Sequence, residues 1–216
     1  MNPGEFVASL AGVKFDSVFN PYSDCCPIHD LDDAPHKRSE TLHAILDSAI
    51  RSDVDSLWIG RDLGYRGGRR TGLALTDDFH IVDHVERWGV SAKRPTKGAA
   101  VAERTAKVTW RVLSQIKAAV FLWNVFPLHP HEFGKPFSNR PHNSHEQRVG
   151  VEILSQLIHL LRPRRMIAIG NDALRISQRL TNGSTIMKVR HPSYGGQMQF
   201  LKQMNSIYHL QTTKKF

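Results

Sequence analysis

The sequence predicts an α/β protein, a central four-stranded and mainly parallel sheet flanked by helices, in a single domain over residues 1–216. Three observations predict it. Short apolar runs alternate with longer amphipathic stretches, the order that builds a parallel sheet through helical crossovers. The run Ala118-Ala119-Val120-Phe121-Leu122-Trp123 stays apolar until Asn124, as a strand covered on both faces must. With 216 residues of which 40% are hydrophobic, the chain can bury one sizeable core.

Residues 35–51 read as a helix with Leu42, Ile45, Leu46 and Ala49 on one face. Residues 56–59 form a short buried strand, 98–117 a second helix and 120–123 a second strand. Asn143 or Ser144 caps a third helix that runs through Val151, Leu154 and Ile158. Residues 166–169 are the third strand, ending at Gly170-Asn171, and 172–180 are helical. Residues 185–189 make the fourth strand and 197–210 the last helix, while Lys214-Lys215-Phe216 reads as a frayed end. Parallel sheets collect ligands at the carboxyl ends of their strands. Gly60-Arg61-Asp62, Asn124, Gly170-Asn171 and His191 all fall there, so the pattern alone brings them to one site.

The net charge is +9 and the isoelectric point about 9.8, which suits a polyanionic partner or a plainly solvated basic surface. No run of eighteen apolar residues suggests a membrane span, and no basic region with an apolar core suggests a secretory leader. Cys25 and Cys26 are adjacent, which suits neither a structural disulfide nor a four-cysteine cluster; a reducing compartment fits. His129-Pro130-His131-Glu132 and His142 invite a zinc reading, but the prolines forbid a helical i,i+4 ligand pair. No metal and no cofactor are expected.

Four signatures in chain order resemble the uracil-DNA glycosylase superfamily: Gly60-Arg61-Asp62, the strand ending in Asn124, Asn143-Ser144-His145-Glu146-Gln147-Arg148, and His191-Pro192-Ser193. The spacing from Asp62 to Gly72-Leu73 fits the same pattern, and the resemblance spans roughly residues 56–210. It implies hydrolysis of the bond between uracil and deoxyribose, with the base flipped out of single- or double-stranded DNA. The products would be free uracil and an abasic site. It further implies a monomer in a cytoplasmic, nucleoid-associated, bacterial setting.

The chemistry needs negative charge near an oxocarbenium-like sugar and a donor near the departing base. The resemblance gives Asp62 the first part, orienting water and facing the sugar, and His191 the second, donating to uracil O2. Asn124 would pair its amide with O4 and N3–H and reject cytosine, which carries a donor at position 4. Arg61, Tyr65 and Leu75 would complete the uracil pocket. Ser193 would clamp a phosphate, with Tyr194, Gln197, Gly170 and Asn171 along the DNA. Gly67-Gly68-Arg69-Arg70 lacks the Gly-Lys-Ser/Thr ending of a nucleotide loop, so Arg69 and Arg70, beside Arg61 and Arg66, read as DNA-backbone contacts.

The chain departs from the uracil-specific branch at marked places. The opening motif there continues Gly-Gln-Asp-Pro-Tyr-His, whereas here it reads Gly60-Arg61-Asp62-Leu63-Gly64-Tyr65. Tyr65 stands one position from the tyrosine that excludes thymine. Leu75 matches the phenylalanine that stacks on uracil, which leaves Phe19, Tyr22 or Phe126 to supply an aromatic wall. Gly195 matches the leucine that wedges into the duplex, so Tyr194, Gln197 or Met198 would fill the vacated stack. Three readings follow: a monofunctional uracil-DNA glycosylase, a relative acting on hypoxanthine or mismatched thymine, and a non-catalytic binder of uracil-containing DNA.

Overall fold

The computed structural model describes residues 1–180 and 186–210. It opens with α1 (Pro3–Ala11), whose Asn2 cap accepts from the Glu5 amide while Glu5 reaches back to the Asn2 amide. Then come β1 (Val18–Phe19), α2 (Ala34–Ile50), β2 (Ser56–Asp62) and the short helices α3 (Gly68–Thr71) and α4 (Ile81–Glu86). After α5 (Arg104–Leu113) follow β3 (Val120–Phe126), β4 (His129–Pro130), α6 (Ser144–Leu161) and β5 (Arg165–Ile169). The chain ends with α7 (Asn171–Ser177), a 3-10 turn at Gln178–Leu180, β6 (Ile186–Val189) and α8 (Gln197–Tyr208).

The main sheet has the order β3-β2-β5-β6, and every pairing in it is parallel. β1 and β4 pair separately as an antiparallel ribbon. From β2 the chain moves to β3, then crosses back over β2 to reach β5. The order therefore reverses between β2 and β5, and the space beyond their carboxyl ends is where such a sheet holds a ligand.

Alternate strand residues feed two cores. Leu57, Ile59, Phe121, Trp123, Met166 and Ala168 pack with Leu42, Ile45 and Leu46 of α2 and Leu154 and Leu157 of α6. Trp58, Leu122, Ile167 and Ile169 pack on the other face with Trp110, Val112 and Leu113 of α5 and Phe200 and Met204 of α8. This double burial is why the strands read as unbroken apolar runs.

β2 and β3 run three residues further than expected, so Gly60-Arg61-Asp62 and Asn124 lie within paired strands rather than after them. The helix expected over 98–117 is only Arg104–Leu113. Gly98 sits at φ +74, and the segment after it is drawn out because Asp78 and Asp77 take the Val101 and Glu103 amides. At the other end the Arg87 guanidinium collects the Leu113, Ile116 and Ala118 carbonyls, which holds that turn out of the helix. The helix expected over 172–180 is α7 completed by the 3-10 turn. The ribbon and α1, α3 and α4 were not expected. Thr185 and Lys214-Lys215-Phe216 lie outside the described residues.

α6 approaches β3 closely because Gly150 has no side chain: a Cβ there would lie 2.4 Å from the Val125 carbonyl oxygen. Gly→Ala inside a helix ordinarily gains about 0.5–1 kcal/mol. Here Gly150→Ala is expected to lose about 1–3 kcal/mol through overpacking, seen as a lower urea midpoint. A raised midpoint would show that α6 can slide away from β3 without loss.

Candidate active site

The site begins with strand register. Gly60 on β2 pairs with Asn124 on β3, and a Cβ at Gly60 would lie 2.3 Å from the Asn124 side-chain oxygen. The glycine makes room for the amide. Asn124 is 1% exposed, and its Oδ1 has no hydrogen-bond partner among the described residues. A buried acceptor without a partner costs about 1–3 kcal/mol, so its retention beside a cleft points to a ligand that satisfies it. Asn124 lines a cleft of about 470 Å³ together with Gly60, Asp62, Leu75 and His191.

Asp62 ends β2 and is held on both oxygens. Arg61 donates Nε–H to Oδ2 at 2.7 Å, and His142 bonds Oδ1 through Nδ1. Arg61 also reaches Asp172 at 3.1 Å. Two carboxylates thus share the Arg61 guanidinium, and Arg175 also lies 4.0 Å from Asp172. The position of His142 follows from the helix start after it. Asn143 accepts from the His145 and Glu146 amides while Glu146 takes the Asn143 amide, a capping box that fixes the entry to α6. The residue before the cap is thereby set against Asp62, with Phe126 packed on its ring.

His191 faces the cleft from the loop after β6. Burial, helped by the charges of Arg61 and Arg190, lowers its pKa to about 4, so it is neutral at pH 7. The Ser193 amide donates to Nδ1 at 3.2 Å, which requires a lone pair on that nitrogen. The proton therefore sits on Nε2, making His191 a neutral donor. Ser193 Oγ is 2.7 Å from Nδ1, so the hydroxyl foreseen as a phosphate clamp holds the histidine here.

Leu75 lines the cleft at φ +54, a conformation uncommon for leucine. Gly170, Asn171, Ser193 and Tyr194 form its rim, with Gln197 just beyond at the start of α8. Tyr194 is 93% exposed at φ +51.

Several expected positions are corrected. Tyr65 is not among the lining residues: its ring lies under the Arg66 guanidinium, while Gly64 faces the cleft. Arg69 and Arg70, expected on the DNA backbone, are buried at 4% and 3% exposure. Arg70 pairs with Asp78, and Arg69 is stacked over the Phe19 and Phe137 rings. A guanidinium enclosed in this way cannot reach a phosphate. Phe19, Tyr22 and Phe126 are all core residues away from the cleft lining, so none supplies the aromatic wall.

Three groups at the site escaped the sequence reading. His142 could have been found from its place before an Asn-x-x-Glu cap. Arg140, on the lining, is forked onto Glu146, and nothing in its spacing marked it. Glu103 also lines the cleft, and burial, with the Asp77 charge adding to it, raises its carboxyl to about 7.

Comparison with known proteins bears on the family and the fold. The family described as "Uracil DNA glycosylase superfamily" matches residues 51–209. No curated protein matches the chain in sequence. Among solved structures, wild-type Pedobacter heparinus SMUG2 is similar in fold, with a TM-score of 0.65 at 12% identity. The alignment covers 97% of this chain and 98% of that one.

The buried histidines set an acid limit on stability. Burial lowers His84 and His129 to about 3, from an ordinary 6.5. Below 6.5 the unfolded chain takes protons that the folded state refuses, so stability is full above that value and falls with pH. At pH 5 each costs up to about 2 kcal/mol. Glu103 acts oppositely between 4.5 and about 7, where the folded state keeps a proton that the unfolded chain has released. It offsets about one histidine. The urea midpoint is therefore expected to be lower at pH 5 than at pH 7.5; an equal midpoint would mean that these rings protonate in place.

Proposed function

The chain belongs to the uracil DNA glycosylase superfamily, and on that premise we propose that it is a monofunctional DNA glycosylase that flips uracil out of DNA, hydrolyses its N-glycosidic bond and leaves an abasic site. The observation that carries the reading is the buried Asn124 on the cleft lining, whose Oδ1 has no hydrogen-bond partner among the described residues, with a held carboxylate and a neutral histidine donor also facing that cleft.

The steps divide among these groups. Asn124 accepts from uracil N3–H through the free Oδ1 and donates from its NH₂ to O4. As the glycosidic bond lengthens, positive charge grows on the sugar and negative charge on the base. Asp62, with both oxygens anchored, offers a fixed anion to the sugar and needs little reorganisation. Each of its oxygens retains a second lone pair, so it can also hold the attacking water. His191 donates Nε2–H to O2 of the leaving base, and its neutrality means that it stabilises the anion without first giving up a proton. His142 and Arg61 are positioning residues that act through Asp62.

The DNA strand would run over the rim at Gly170, Asn171, Ser193 and Gln197, with Arg190 supplying a cation beside them. Tyr194, the exposed aromatic at the lip, is the residue we place in the stack that the flipped base vacates.

The direct test is base release from uracil-containing single-stranded and duplex oligonucleotides, and no release from either would end the reading. Asp62→Asn should slow single-turnover excision by about two to four orders of magnitude while DNA binding persists. Near-wild-type excision by that variant would remove Asp62 from the mechanism. Asn124→Asp should lower uracil release and bring measurable cytosine release, because a carboxylate lacks the amide's donor. Unaltered uracil release would make Asn124 a structural strand end.

A further inference from the structure

A second cavity lies at the amino end of β3, the opposite end of the sheet from the cleft. It measures about 400 Å³ and is lined by Arg87 and Trp88 after α4, by Ile116 and Lys117 after α5, and by Ala118 and Val120 where β3 begins. Arg87 is half-buried there. Its Nη1 donates to the Leu113 and Ile116 carbonyls and its Nη2 to the Ala118 carbonyl. Its Nε–H is buried and has no acceptor among the described residues. Burial lowers its pKa, opposed only by Tyr208, and no carboxylate neutralises it among the described residues. The guanidinium stays protonated, so a cation is partly withdrawn from water without a counter-charge.

Trp88 is 6% exposed, and its indole Nε1–H is a second buried donor without an acceptor among the described residues. Its ring packs on Phe121, with centroids 5.7 Å apart, which holds the indole in place. Trp58 and Trp110 show the ordinary outcome, their N–H groups bonding the Tyr208 hydroxyl and the Leu75 carbonyl. Trp123 also lacks a partner, but it belongs to the core and lines neither cavity. Two adjacent residues thus each bring one unused N–H to the same cavity. Asp55, whose amide bonds the Ala119 carbonyl, does not supply the missing anion, because it is paired with Arg165.

Two donors, one of them on a cation, call for an acceptor that carries negative charge. Lys117, exposed at the rim, adds a second positive charge. Ser114 apart, the rest of the wall is apolar. A phosphate would leave most of its oxygens facing that wall, which costs free energy. A carboxylate has two oxygens to satisfy, and an apolar body behind it would suit the remaining surface. We propose that this cavity is a ligand site separate from the cleft, which binds a monocarboxylate with a compact apolar or aromatic body. Arg87 Nε–H and Trp88 Nε1–H donate to the carboxylate, and Ile116, Ala118 and Val120 cover the body. No residue of the cleft takes part, so the site stands apart from the glycosylase reading.

The experiment is a benzoate titration of the full chain with isotope-labelled indole nitrogens, followed by NMR. The four tryptophans give four indole N–H signals, and Trp88→Phe identifies one of them by its loss. If that variant does not fold, contacts to the Phe121 ring identify the signal instead. Benzoate should shift the Trp88 signal saturably, while the already bonded Trp58 and Trp110 signals move little. Benzyl alcohol, with the same ring and no charge, should bind at least about tenfold more weakly, the span of one hydrogen bond to a charged group. Lys117→Glu, a change at an exposed position, should weaken benzoate binding by about 2- to 5-fold. A Trp88 signal that benzoate leaves unmoved overturns the proposal. Equal binding of benzoate and benzyl alcohol overturns it too, since the cavity would then be merely apolar. Tighter binding of inorganic phosphate than of benzoate would overturn the carboxylate assignment.

Discussion

The pairing of Gly60 with Asn124 is the constraint on which the site depends. An amide within β3 can turn toward the cleft only if the neighbouring strand presents no side chain there. Glycine meets that need at the one register position where it arises. A one-residue slip of β3 against β2 would put Ile59 or Arg61 beside the amide and turn the side chains of β3 to the opposite faces of the sheet. The register between β2 and β3 thereby sets the geometry of recognition.

The loop between β2 and α4 is held by a different kind of interaction. Arg38 forks onto Asp30 and donates Nε–H to the Arg70 carbonyl, and Arg70 in turn pairs with Asp78. All four side chains are buried. Removing charges from water is costly, and such pairs are tolerable only where geometry and extra hydrogen bonds are good. The remaining lone pairs of the acids are accordingly met, by the Cys26 amide on Asp30 and by Thr96 and the Val101 amide on Asp78. Conformational specificity is what the network supplies, because it positions the glycine turn whose backbone Glu103 contacts. Its four charges sum to zero, so the network takes nothing from the formal +9 charge.

The two halves of the proposed chemistry reach the cleft by separate routes. Asp62 rides on β2 and is braced by His142 from the start of α6, while His191 stands on the loop between β6 and α8. Bracing of the carboxylate and of the imidazole is local in each case, through a cap residue's neighbour and through Ser193. Such preorganisation lets opposite charges develop on sugar and base without rearrangement of the groups that meet them.

The fold was legible because each strand is buried on both faces, so the alternation of apolar runs with amphipathic stretches encodes the layered sheet directly. The placement of Asp62, Asn124 and His191 at one end was legible for the same reason, since strand ends in a parallel sheet converge. Side-chain partnership was not. The glycine-arginine loop looked like a solvated phosphate contact, but whether its arginines are free depends on Asp78 for Arg70 and on Phe19 and Phe137 for Arg69, which come near only after folding. His142 and Glu103 carry no periodic signal, because their placement comes from a helix cap and from the space left by two glycines. The sequence by itself determined the layers and the ends where chemistry gathers. Only the tertiary structure decided which charges are buried and paired and which face the cleft, because that depends on neighbours contributed by other elements.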